Sequence, residues 1–131
     1  MPIVRVGGLG LRPIPGFRND KRDYDVKAIA DTLGLSTSRV GRILGVGTSA
    51  TSRNLAAPKI RIRAAKLERI INLLTDLYGD FGYAVAWLKT PSVLWGEERD
   101  LTAFDLMMGE DWGLDFVLQT VDAMRRGDPL T

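Results

Sequence analysis

The sequence predicts an all-α protein, with an N-terminal helix-turn-helix bundle joined through a long helix to a small C-terminal helical domain. Three observations predict it. Apolar residues recur at helical spacing along most of the chain. Asp, Ser or Thr stands ahead of these stretches, and glycine stands behind several of them. Short glycine-bearing turns join the first three segments, as in a helix-turn-helix. The expected organisation is an arm over residues 1–22, a helix-turn-helix unit over 23–62 and a C-terminal unit over 63–131 that includes the long connecting helix.

Composition narrows the function classes. The apolar fraction of 45% suffices for a core. Net charge is only +2, but it is divided unevenly. Residues 1–69 hold 14 Lys/Arg against 5 Asp/Glu, whereas residues 70–131 hold 4 against 11. The first half therefore carries +9 and the second −7. That asymmetry points to a polyanion partner for the first half and a different partner for the second. Cysteine and histidine are both absent, which removes disulfides, thiolate or imidazole metal sites, and Ser-His or Cys-His nucleophiles. No catalytic residues, metal or cofactor are expected. No apolar run approaches the ~20 residues of a membrane span, and glycines and prolines interrupt any signal-peptide core. A cytoplasmic location is the expectation from these absences.

In order, Gly7, Gly8, Gly10, Pro13, Pro15 and Gly16 break regular structure in the arm. Asp23 is read as an N-cap, followed by the stripe Val26, Ile29, Ala30 and Leu33, with Gly34 as stop. Ser36 caps a second segment whose inward face is Val40, Ile43 and Leu44. After Gly45-Val46-Gly47, Thr48 caps a short third segment running to Leu55. The longest helix is expected from Arg63 to Tyr78, with Leu67, Ile70, Ile71, Leu74, Leu77 and Tyr78 facing the core. Gly79-Asp80 ends it and caps the next, whose stripe is Phe81, Ala84, Val85 and Leu88, with Trp87 beside it. Thr90-Pro91 stops that helix, because proline lacks an amide donor and drives its predecessor out of helix geometry. Glu97-Glu98-Arg99-Asp100 reads as a solvated loop. Thr102 and Asp105 form a capping box, flanked by a Leu101–Leu106 staple. Asp111 is read as the cap of the last helix, with Leu114, Val117, Leu118 and Val121 as its stripe. Arg125-Arg126 and Gly127 end it.

Two registers fit the helix-turn-helix. In one, Ala30, Gly34 and Val40 make Ser36–Leu44 the recognition helix. In the other, Gly41, Gly45-Val46 and Thr51 give that role to Thr48–Leu55, with Thr48, Ser49, Ser52, Arg53 and Asn54 outward. Such a surface suits hydrogen bonding to base edges, Arg53 best to guanine. Periodicity leaves both open. Lys59, Arg61 and Arg63 follow, suited to phosphate contacts that add affinity without reading sequence.

The second half resembles the toxin-binding domain of the Xre/MbcA/ParS antitoxin family. The motifs occur in order: Leu77-Tyr78-Gly79-Asp80, then Tyr83-Ala84-Val85-Ala86-Trp87-Leu88-Lys89-Thr90-Pro91, then Leu94 and Gly96, then Thr102-Ala103-Phe104-Asp105-Leu106-Met107, then the final amphipathic helix to Arg126-Gly127. Ile43-Leu44-Gly45-Val46 with Thr51-Ser52-Arg53-Asn54-Leu55 looks like the family's helix-turn-helix and selects the later register. The resemblance spans about residues 24–127 and implies a type II antitoxin rather than an enzyme. Its implied partners are a RES-domain toxin that degrades NAD⁺ and operator DNA, bound as a homodimer within a hetero-oligomeric complex. The toxin-binding residues it implies are Trp95, Met124, Arg125, Arg126, Gly127, Asp128, Pro129, Leu130 and Thr131, with Trp87 as scaffold. The alternative is a stand-alone helix-turn-helix transcription regulator with an acidic dimerisation domain.

Overall fold

A computed structural model describes residues 12–46, 57–96 and 100–127. Among the described residues there are six α-helices, one 3-10 turn and no strand, so the protein is all-α. The helices are α1 (Val26–Leu33), α2 (Thr37–Leu44), α3 (Pro58–Tyr78), α4 (Phe81–Lys89), α5 (Ala103–Gly109) and α6 (Gly113–Arg126). The 3-10 turn is Val93–Trp95.

Local chemistry sets most of the boundaries. The Ser36 hydroxyl accepts from Arg39 N at 3.1 Å and Asp80 from Tyr83 N at 2.7 Å, each satisfying an amide that a helix start leaves open. Thr102 and Asp105 form the reciprocal capping box of α5, at 3.0 Å in both directions. Gly34, Gly45, Gly79 and Gly127 end helices in the left-handed region.

Three boundaries differ from the sequence reading. The cap of α1 is Asp25, which accepts from Ala28 N at 2.9 Å. Asp23 belongs to the preceding turn, where its amide donates to Asn19 Oδ1 at 3.1 Å. Helix α3 starts at Pro58, five residues before the expected Arg63. Proline is well suited to that first position, since its missing N–H would have no helical partner there. Helix α6 has no side-chain cap from Asp111. Trp112 is the N-cap residue, and the chain enters through a turn closed by Gly113 N to Glu110 O at 3.0 Å.

The long helix α3, about 30 Å at 1.5 Å per residue, is the structure's axis. Its largest contacts are with α6 and then α4, and α2 also packs against it. Ile70, Ile71, Leu73 and Leu74 are all fully buried. Asn72 between them is buried too, at 6%; five consecutive buried positions at about 100° per residue circle the helix, so α3 is covered on all sides there. Leu77 and Tyr78, expected in the core, are 39% exposed, and Tyr78 packs on Tyr83 at a ring separation of 4.8 Å. Helix α2 also packs on α5, which joins the N-terminal helix pair to the C-terminal helices in one continuous core.

The stretch from Arg12 to Asp25, most of it read as arm, is part of that core. Ile14 and Phe17 are buried, at 5% and 0% exposure. Arg12 pairs with Asp76 at 2.8 Å, and its carbonyl accepts from Asn72 Nδ2 at 2.6 Å. The segment thus lies along α3 and feeds two apolar side chains into the interior.

Helix α6 approaches α5 at Gly113, which is buried. A Cβ there would stand 2.7 Å from the Leu106 carbonyl carbon and closer still to its oxygen. Backbone cannot swing aside as a flexible side chain can. Gly113→Ala is therefore expected to destabilise the protein by about 1–3 kcal/mol through overpacking, measured by denaturant unfolding. Gly109→Ala, where a Cβ meets nothing within 4 Å, is the control.

Candidate nucleic-acid and protein interfaces

The expected base-reading residues Thr48, Ser49, Ser52, Arg53 and Asn54 lie outside the described residues. Their surroundings are described on both sides. Helix α2 turns Val40, Gly41, Ile43 and Leu44 inward and leaves Thr37, Ser38 and Arg42 exposed. The basic residues after the segment begin α3.

These basic residues do not share one face. At 100° per residue, Arg61 and Arg63 project about 160° apart around the helix axis. Lys59 and Arg61 are exposed. Arg63 is half-buried and donates from Nε and Nη2 to the Ile43 carbonyl, at 2.9 and 2.7 Å. It closes the C-terminal end of α2, where a positive charge also meets the negative end of the helix dipole. Its guanidinium is engaged within the fold rather than presented as a phosphate contact. Lys66 reaches across to Asp115 on α6 at 2.6 Å.

The opposite face of α3 carries the most constrained polar group. Glu68 is 4% exposed and accepts four hydrogen bonds. They come from Ile14 N (2.6 Å), Arg18 Nη1 (2.7 Å), Arg18 Nη2 (3.0 Å) and the Tyr24 hydroxyl (2.9 Å). Arg18 also lies over the Tyr24 ring, 4.3 Å from its centroid. Hydrogen bonding to Glu68 raises the Arg18 pKa, holding it charged despite partial burial. Burial, then the bond to Glu68, pushes the Tyr24 phenol up from 10.0 to about 12. Neither Glu68 nor Tyr24 was singled out in the sequence, although a carboxylate between Leu67 and Ile70 in an apolar run is itself a signal.

In the C-terminal half, four aromatic rings stand edge to face in series. Trp87 meets Trp95 at 5.7 Å, Trp95 meets Phe116 at 6.1 Å, and Phe116 meets Trp112 at 5.9 Å. Trp95, expected at the toxin-binding surface, is only 6% exposed, and its indole N–H has no acceptor among the described residues. It supports the surface from beneath. Trp112 and Phe116 hold the outside, 55% and 40% exposed. Their i, i+4 spacing on the final helix was the available sequence signal. Phe116, Gln119, Ala123 and Arg126 continue along the outward side of α6 at helical spacing. Among the other expected toxin-binding residues, Met124 is half-buried, whereas Arg125, Arg126 and Gly127 are exposed. Asp122 pairs with both Arg125 and Arg126. Asp128, Pro129, Leu130 and Thr131 lie outside the described residues.

Among the described residues no group of His, Cys, Asp and Glu is arranged to hold a metal ion, and no helix is long and apolar enough to cross a membrane. No family model, curated protein or solved structure matches this chain.

Arg63→Ala is expected to cost about 1.5–3 kcal/mol of folding stability, the value of charge-assisted hydrogen bonds. Lys59→Ala and Arg61→Ala should stay within about 0.5 kcal/mol, as surface changes do. Chemical denaturation of the three variants separates the cases.

The raised Tyr24 pKa has a defined sign. The unfolded phenol ionises near 10 and the folded one near 12, so Tyr24's contribution to stability is complete below about pH 10 and is lost as pH rises to about 12. Thermal melts between pH 9 and 12 should therefore show a steeper alkaline decline for the native chain than for Tyr24→Phe.

Proposed function

We propose that this chain is a type II antitoxin that neutralises a RES-domain, NAD⁺-degrading toxin by covering its active-site cleft, and that it binds operator DNA. The observation that carries the reading is the outward side of α6. There Trp112 and Phe116 stand exposed on a buried aromatic support, and Arg126 follows on the same side. Exposed aromatic rings with arginine are the usual composition of protein-binding hot spots. A rigid support beneath them lowers the ordering cost of binding.

DNA binding is supported by α2, whose left-handed Gly45 opens the turn of the expected helix-turn-helix, and by the +9 charge of residues 1–69. Exposed Lys59 and Arg61 flank the expected recognition segment. The acidic second half suits a cleft shaped for an anionic dinucleotide, since such clefts carry cationic groups.

Co-expression with the product of an adjacent RES-domain gene tests the reading. The full chain should co-purify with that product and restore growth. Deletion of residues 124–131 should abolish neutralisation while leaving DNA affinity intact. Trp112→Ala and Phe116→Ala should each weaken the complex by about 2 kcal/mol or more, the hot-spot range. Lys59→Ala should lower the salt dependence of operator binding by about one phosphate contact, and Arg53→Ala should cost about 1–3 kcal/mol at an intact site. Failure to bind any adjacent RES-domain product would reject the antitoxin reading. A deletion that changes neither property would point instead to a stand-alone regulator.

A further inference from the structure

A pocket of about 430 Å³ opens where the N-terminal segment meets the first turns of α3. It is lined by the charged residues Arg18, Arg22, Asp23 and Arg61 and by the rings and apolar side chains of Tyr24, Pro58, Ile62 and Ala65. The volume falls within the range of small-ligand sites, about 300–1,000 Å³. None of this follows from a helix-turn-helix, whose surfaces meet a duplex.

The charges are unevenly committed. Arg18 is neutralised by Glu68, to which both its terminal nitrogens donate. Arg22 and Arg61 make no ion pair among the described residues. Asp23 opposes them, leaving two guanidiniums against one carboxylate. Guanidinium groups match phosphate oxygens in a fixed fork, so the remaining positive charge favours a phosphate over a diffuse anion. The same pocket is lined by a phenol ring, a proline ring and Ile62, which is 55% exposed. These groups suit a flat ring.

The backbone supplies a separate observation. Arg22 has φ 66, the one non-glycine residue at positive φ among the described residues. An arginine there carries a conformational cost that glycine avoids. The Asn19–Asp23 turn imposes it: Arg22 N donates to Asn19 O at 2.9 Å, and Asn19 Oδ1 accepts from Lys21 N and Asp23 N. Strain held in place by surrounding hydrogen bonds is frequent where a side chain must be aimed at a ligand.

We propose that this pocket binds a nucleoside phosphate, with the phosphate on Arg22 and Arg61 and the base against Tyr24, Pro58 and Ile62. Calorimetric titration of the full chain with AMP, ADP, adenosine and inorganic phosphate tests it. AMP or ADP should bind saturably, at least about tenfold tighter than either adenosine or phosphate alone, a difference of about 1.4 kcal/mol. Arg61→Ala should weaken binding by about tenfold. Arg22→Gly removes the guanidinium while suiting the left-handed backbone, so it should lose affinity with the fold retained. Asp23→Asn should bind AMP more tightly, because it removes the opposing charge. Absence of saturable AMP or ADP binding, phosphate binding as tightly as AMP, unchanged affinity in Arg22→Gly and Arg61→Ala, or pocket-dependent binding to duplex DNA alone would each overturn the proposal.

Discussion

The Glu68 carboxylate is the constraint on which the N-terminal half depends. A carboxylate taken out of water is costly unless its oxygens are paired. Here both are, by a guanidinium, a phenol and a backbone amide drawn from three separate positions. Satisfying Glu68 therefore requires Ile14, Arg18 and Tyr24 to be in place together. That requirement sets the path of the segment leading into α1, and with it the burial of Ile14 and Phe17. The Arg18 guanidinium that pairs with Glu68 also lies over the Tyr24 ring, and both side chains line the pocket. Stability and the shape of a candidate site share one buried charge.

Helix α3 distributes roles around its circumference. Positions 61, 65, 68, 72 and 76 recur at a helical turn and face the N-terminal segment. Arg63 turns toward α2 and Lys66 toward α6. A cluster that reads as a basic run in one dimension becomes a cap, a cross-link and a pocket wall in three. The helix also joins the oppositely charged halves through packing, since surface pairs such as Lys66–Asp115 contribute only about 0–1 kcal/mol.

Much of the helical framework was legible because its signals are local. Ser36, Asp80 and the Thr102–Asp105 box act within three residues of themselves, and the terminal glycines act through their own φ. The misplacements have equally specific causes. Asp23 and Asp25 are equivalent caps in the sequence, and the Asn19 turn decides between them. Pro58 opens α3 five residues before the expected Arg63, since a proline that is barred from a helix interior is favoured at a helix start. The pairing of Glu68, that of Arg63 and the path of the Arg12–Asp25 segment were illegible for a different reason. The partners lie 20 to 64 residues away, beyond the reach of periodicity. Trp112 and Phe116 lie off the stripe of Leu114, Val117, Leu118 and Val121, and periodicity marks the face that packs rather than the exposed rings beside it.

The aromatic series also has an optical consequence. Trp87, Trp95 and Trp112 are the chain's only tryptophans, and all three belong to it. Trp87 and Trp95 stand at 90° to each other, an asymmetric arrangement of neighbouring indoles that favours a strong near-ultraviolet circular dichroism signal. Tryptophan emission therefore comes wholly from one neighbourhood, with Trp112 as the solvent-facing chromophore. The pocket beside Tyr24 is lined by no tryptophan. The molecule thus carries a built-in spectroscopic reporter of the surface on α6, with no label attached.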